Sequence, residues 1–141
     1  MRVLFLLLYY PERKESSNLY ADLIDEFADN DHEVTVVSGV KGNQSSSFHT
    51  EGNVKVLRIK TQKIFNTHPI LKGIATVRIP YIIKRAIKKY LSNEVFDLVI
   101  TPTPPITFVN IVAWLKKKSP IRSFLILRDI FPQNARDLGM M

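Results

Sequence analysis

Three features of the sequence predict an α/β fold built on a doubly wound parallel sheet of about five strands. Short apolar runs suited to strands alternate along the chain with amphipathic stretches of helical period. The first run, Arg2 to Tyr9, is apolar after its first residue, as a central strand covered by helices on both faces must be. A strand, a helix and a second strand then follow within forty residues, which is one βαβ unit.

The first strand breaks at Pro11, and the polar loop Pro11 to Ser17 offers Ser16 or Ser17 as an N-cap. From Asn18 onward, Leu19, Leu23, Ile24, Phe27 and Ala28 recur at helical spacing with Asp22, Asp25, Glu26 and Asp29 opposite, which predicts an amphipathic helix. Glu33 to Ser38 is β-branched and stops at Gly39, giving the second strand, with His32 a structural residue at the turn into it. Lys41 to Asn53 is rich in Gly, Ser and Asn and predicts a mobile surface loop. Val54 to Ile59 is the third strand, with Lys55 and Arg58 expected to face out toward the sheet's edge. Ile70 to Leu91 has helical periodicity interrupted by Pro80, which lacks an amide donor and clashes with the preceding turn; two helical pieces are expected, Pro80 opening the second. Phe96 to Thr101 is the fourth strand, Pro102 to Pro105 a stiff loop at its carboxyl end, Ile106 to about Lys118 a helix, and Arg122 to Arg128 the fifth strand. A further helix is expected to begin near Pro132.

With 141 residues, 45% of them hydrophobic, the chain reads as a single domain, 1–141. The absence of cysteine excludes a disulfide scaffold, a Cys-ligated zinc site and thiol catalysis, and fits a reducing cytoplasm. Val3 to Leu8 is too short to cross a bilayer and no small-residue cleavage site follows it. Charge is segregated: residues 1–50 carry 4 basic and 8 acidic side chains, whereas residues 51–141 carry 16 and 5. From Gly52 to Asn93 there are ten Lys/Arg and no acid. Such a block is either a solvated helix face whose lysine stems cover apolar surface or a surface for anionic lipid. Phe65, Ile79, Tyr81, Ile82 and Ile83 interleave with the cations and favour the membrane, with Lys72, Arg78, Lys84, Arg85, Lys88 and Lys89 as the contacts. No nucleic-acid module is present, so no nucleic-acid partner is expected.

Ligands of doubly wound sheets bind beyond the carboxyl ends of the strands, at the topological switch point. Here that rim comprises Tyr9 to Ser17, Ser38 to Gly42, Thr101 to Pro105 and Arg128 to Gln133. The first loop carries neither the G-x-G-x-x-G fingerprint nor a phosphate loop, which disfavours an NAD or ATP site. Ser16, Ser17 and Asn18 either cap the helix or present hydroxyls and backbone donors to a phosphate or sugar. Asp129, at the end of an apolar strand, either caps the following helix or serves as a hydrogen-bond acceptor or general base toward a sugar hydroxyl. His32, His49 and His68 are scattered without carboxylates at ligand spacing, so no metal site is expected.

Three stretches, Leu7 to Glu12 (Leu-Leu-Tyr-Tyr-Pro-Glu), His32 to Ser38 (His-Glu-Val-Thr-Val-Val-Ser) and Arg128 to Gly139 (Arg-Asp-Ile-Phe-Pro-Gln-Asn-Ala-Arg-Asp-Leu-Gly), supported by Thr101-Pro102-Thr103-Pro104-Pro105, resemble the amino-terminal domain of family-4 glycosyltransferases. The resemblance is to the bacterial branch that assembles surface polysaccharides. It implies one Rossmann-like half of a GT-B architecture, the carboxyl-terminal nucleotide-sugar domain lying outside this chain. It further implies the acceptor-binding half of a retaining transferase that uses a nucleotide sugar; taken with the basic block, a saccharide or lipid-linked acceptor is expected at the inner face of the cell membrane. No cofactor would bind this half alone, which by itself is expected to be inactive. By position, Tyr9, Tyr10, Glu12, Ser16, Ser17 and Asn18 would border donor phosphates and acceptor. Thr103, Pro104, Arg128 and the catalytic candidate Asp129 would line the acceptor side. Many relatives have glycines where this chain has Ser16, Ser17 and Asp31. A different reading is a noncatalytic module that binds a protein partner through the uncovered edge of its last strand.

Overall fold

The computed structural model describes residues 1–11, 18–40, 45–61, 69–103, 105–128, 136 and 139, the stretch 69–77 by its backbone alone. The elements are β1 (Arg2–Tyr9), α1 (Leu19–Asp29), β2 (Glu33–Gly39), β3 (Ser47–Glu51), β4 (Val54–Ile59), α2 (Pro69–Tyr90), β5 (Leu98–Thr103), a 3-10 turn (Ile106–Phe108), α3 (Val109–Lys116) and β6 (Arg122–Leu127). The sheet has the order β3-β4-β2-β1-β5-β6, parallel throughout except for the β3–β4 pair. This is the expected α/β, doubly wound, Rossmann-like architecture, with one strand more than the sequence suggested.

The alternation of side chains along each strand divides the interior into two cores. Val3, Phe5 and Leu7 join Val34, Val36, Val54 and Val56 beneath α1, where Ile24 is fully buried. Leu4, Leu6, Val37 and Leu57 pack on the opposite face against Ile79, Ile83 and Ile87 of α2 and Ile111 and Leu115 of α3. Each large apolar side chain so buried contributes about 1.5–3 kcal/mol, so the double-sided burial of β1 anchors the sheet.

α1 starts one residue later than a serine cap would place it. Asn18 is the N-cap, its Oδ1 accepting from the backbone N–H groups of Tyr20 at 3.0 Å and Ala21 at 2.9 Å. Ser16 and Ser17 lie outside the described residues. Leu19, assigned to the apolar face by its spacing, is 66% exposed at the first position of the helix. At the turn into β2, Asp31 has φ of 58°, the left-handed region in which an aspartate costs roughly 1 kcal/mol and glycine almost nothing. His32 packs against Phe27, its ring centroid 5.5 Å away.

Four expectations are corrected. The segment read as a loop between β2 and the next strand contains β3, which pairs antiparallel with β4 across a two-residue turn with Gly52 at φ 62°. β4 is therefore not at the edge, and Arg58, expected to face out, is only 5% exposed. Pro80 does not divide α2, which runs unbroken from Pro69 to Tyr90. Burial of Ile79, Ile83 and Ile87 against the sheet offsets the roughly 3 kcal/mol that an internal proline costs. Pro102 and Thr103 belong to β5, in register with Ile126 and Leu127 of β6, and are not part of a loop.

At the opposite end of the strands, Asp97 fastens β1 to β5. Its Oδ2 accepts from the Arg2 backbone N–H at 2.7 Å, its own N–H donates to the Arg2 carbonyl at 2.8 Å, and its carbonyl accepts from Arg122 at 3.0 Å. The Arg2 amide bond holds the carboxyl below its ordinary pKa against an opposing effect of burial, and the charges of Arg2, the amino terminus and Arg122 add to it. A depressed folded-state pKa means stability that is present above the unfolded pKa and lost as pH falls through the lower folded value. Asp97→Asn is therefore expected to lower the urea midpoint relative to wild type at pH 7, and the difference is expected to close as pH falls through the acid range. A difference that persists unchanged at the lowest pH would show that the carboxylate charge contributes nothing there.

Candidate functional site

The chain passes from one side of β1 to the other between β4 and β5, so the switch point lies between the adjacent strands β1 and β5. Their pairing begins at Val3–Leu98 and ends at Phe5–Ile100. Beyond that point β1 runs on to Tyr9 beside β2, and β5 runs on to Thr103 beside β6, so the two strands fork as they approach the carboxyl rim. A fork at this position is where a doubly wound sheet accepts a ligand.

The expected site residues fall around the fork to different depths. Tyr9 is partly exposed at the tip of β1. Tyr10 points its ring into the α1-side core and is 1% exposed, so its side chain packs the interior under the rim. Thr103 ends β5, and its Oγ1, like that of Thr107 in the 3-10 turn, is buried without a hydrogen-bond partner among the described residues. Arg128 is exposed directly after β6. Asn18 spends its carboxamide oxygen on capping α1. Glu12, Ser16, Ser17, Pro104 and Asp129 lie outside the described residues, so the catalytic candidate has no structural account. The rim around the fork thus carries a partly exposed tyrosine at the tip of β1 and an exposed arginine after β6, with the Thr103 and Thr107 hydroxyls buried beneath the surface. Among the described residues no group of three His, Asp or Glu side chains is placed to hold a metal ion.

The basic candidates occupy a different surface. Arg78, Tyr81, Arg85, Lys88 and Lys89 are exposed at spacings that place them on one face of α2, and Tyr81 is 71% exposed among the cations. Lys84 is half-buried, and the Lys72 side chain is not described. The sequence reading missed the continuation of this surface onto α3. Lys88 Nζ lies 5.8 Å and Lys118 Nζ 4.4 Å from the centroid of the Trp114 ring, so Lys116, Lys117 and Lys118 extend the patch at the carboxyl ends of both helices. Both helices run from the rim toward the amino ends of the strands, so this lysine-rich end lies away from the fork and Arg78 lies nearer to it. Among the described residues no helix is long and apolar enough to cross a membrane.

The fold resembles that of a solved GT-B glycosyltransferase, trehalose-6-phosphate synthase from E. coli bound with UDP-2-fluoro glucose. The two align with a TM-score of 0.60 over 90% of this chain at 10% identity, and the chain spans 33% of that protein's length. The sheet with its flanking helices therefore matches one half of a GT-B enzyme. No protein-family model and no curated protein matches the sequence.

Proposed function

We propose that this chain is the acceptor-binding half of a retaining glycosyltransferase that uses a nucleotide-sugar donor and acts on a saccharide or lipid-linked acceptor at an anionic membrane surface, in polysaccharide biosynthesis. The observation that carries the reading is the fork between β1 and β5, opening at the switch point of a sheet that fits a GT-B half. Thr103 and Arg128 supply hydroxyl and guanidinium contacts to the acceptor, and Asp129 is the acid to which catalysis is assigned. The donor nucleotide belongs to a second domain or subunit, so this half alone binds acceptor and turns over little or nothing. The basic face of α2 holds the domain at the cytoplasmic face of the membrane, where a lipid-linked acceptor is found.

Titration with a lipid-linked saccharide in detergent tests the site. The wild-type chain is expected to bind it, and Thr103→Val and Asp129→Ala to weaken binding by at least tenfold, the cost of removing a buried or charged hydrogen bond. Absence of saccharide binding, or affinity unchanged in both variants, refutes the reading.

A second reading is favoured by β6. It is an edge strand whose Phe124, Leu125 and Leu127 are 60%, 55% and 61% exposed, an apolar surface on both of its faces. In this reading the domain is a noncatalytic module that docks a protein partner along β6. Saccharide binding at the fork separates the two, since docking along β6 does not require it.

A further inference from the structure

Arg58 stands in the interior with a side chain only 7% exposed, at the end of β4. A cation in such a place is retained only where it is paired and hydrogen-bonded. Its Nε and Nη2 donate to Glu51 Oε1 at 3.1 and 2.8 Å, its Nη1 to the Tyr10 carbonyl at 2.7 Å, and its Nη2 to the Pro11 carbonyl at 3.3 Å. The guanidinium also lies 5.6 Å from the centroid of the Tyr10 ring. With its fork committed in this way, Arg58 is not free to clamp a phosphate. What it grips is the backbone leaving the carboxyl end of β1, which it reaches from β4 across β2.

The surrounding residues are those such a reach requires. The β1–β2 ladder shifts register between Leu7 and Tyr9, so regular pairing is already disturbed where Arg58 takes hold. Between β4 and β1 lies β2, and the residue in register with both Arg58 and Leu7 is Ser38, a fully buried small side chain over which a guanidinium can pass. The next residue, Gly39, is equally confined, since a Cβ there would stand 2.9 Å from the Leu8 carbonyl oxygen. The counter-ion comes from the edge: β3 delivers Glu51, whose Oε1 also meets His49 Nε2 at 2.7 Å.

We infer that Arg58, oriented by Glu51, is a positioning residue that fixes the Tyr10–Pro11 backbone at the carboxyl end of β1, tying the β3–β4 hairpin to the strand that forms one side of the fork. The consequence for ligand binding rests on the acceptor-site reading above, whereas the structural claim does not.

Amide hydrogen exchange followed by NMR on the full chain tests it in Arg58→Lys and Glu51→Gln, which keep a polar group in place, and in Arg58→Met. Lysine keeps the charge, but its three donors sit on one nitrogen and cannot span the positions that Nε, Nη1 and Nη2 of the guanidinium occupy. In Arg58→Lys the amides of Tyr9, Tyr10 and Asn18 are expected to exchange about tenfold faster or more, the scale of one or two lost charge-assisted hydrogen bonds, while Val3 to Phe5 and Val34 to Val36 keep their protection. Glu51→Gln is expected to show the same pattern more weakly. Unchanged exchange at all three amides, or acceleration spread evenly through the sheet, overturns the inference; the second result would make Arg58 a contributor to global stability alone. If Arg58→Met does not fold, the lysine and glutamine variants decide. Lipid-linked saccharide affinity is measured in parallel and is expected to fall in Arg58→Lys. Failure of the wild type to bind the saccharide would count against the acceptor reading, and the exchange pattern would still decide the role of Arg58.

Discussion

Phe5→Ala is expected to cost about 3–5 kcal/mol of stability, the range for deleting a fully buried aromatic ring. Phe5 has no exposed surface, lies in the central strand, and meets Phe27 of α1 edge to face with ring centroids 5.6 Å apart. Its loss would leave a cavity between sheet and helix that neither can close, because β1 is paired on both sides. A domain of this size has roughly 5–15 kcal/mol in total, so the variant should melt about 10 °C or more below wild type. Two controls locate the effect. Phe5→Leu restores most of the volume and should cost less than about 1.5 kcal/mol. Phe124→Ala removes the same ring from a residue 60% exposed on β6 and should stay within about 0.5 kcal/mol of wild type. Equal losses at Phe5 and Phe124 would contradict the burial of the α1 face and the exposure of the β6 edge together.

The contrast between these phenylalanines shows what a one-dimensional pattern can and cannot convey. β1 is legible because burial on both faces demands an uninterrupted apolar run, and β2 because its buried stretch Val34 to Val37 is β-branched throughout. β3 escapes the same logic: Ser-Phe-His-Thr-Glu is mostly exposed, and only the Gly52–Asn53 turn hints that it returns along β4. The burial of Arg58 follows from partners at Glu51, Tyr10 and Pro11 that converge only in three dimensions. Its place beside Lys55 in β4 gives no sign of it. Pro80 shows propensity yielding to tertiary packing, since the helix around it is fixed by isoleucines against the sheet. At the candidate site, the end of β1 could be placed from the sequence, which is why Tyr9 reaches the rim, whereas the expected end of β5 falls two residues short of Thr103. The direction of a ring could not, and Tyr10 turned inward to underlie the guanidinium of Arg58. The lysines after Trp114 join the basic face only through the packing of α3 beside α2.

Neutralising the exposed cations of α2 with Arg78→Gln, Arg85→Gln, Lys88→Gln and Lys89→Gln together is expected to weaken binding to phosphatidylglycerol vesicles about a thousandfold. Each Lys or Arg near an anionic leaflet contributes about 1 kcal/mol, and every 1.4 kcal/mol is about tenfold. Glutamine keeps helix propensity and length, and none of the four side chains is buried, so the fold should survive. Wild-type binding should also fade as salt shortens the screening length from about 10 Å at 0.1 M to about 3 Å at 1 M. Replacing Lys116, Lys117 and Lys118 with glutamine in a separate variant asks whether the surface ends with α2. If the Trp114 end joins the contact, that variant should lose binding by a comparable factor per charge, and the domain would lie with α2 and α3 both against the lipid. If only the α2 variant loses binding, the contact is confined to the face carrying Arg78, Tyr81 and Arg85, nearer the fork. Equal binding of the wild type to phosphatidylcholine vesicles, or sedimentation indifferent to salt, would make the basic face an ordinary solvated helix surface whose terminal lysines complement the helix dipole. The acceptor would then have to reach the fork from solution.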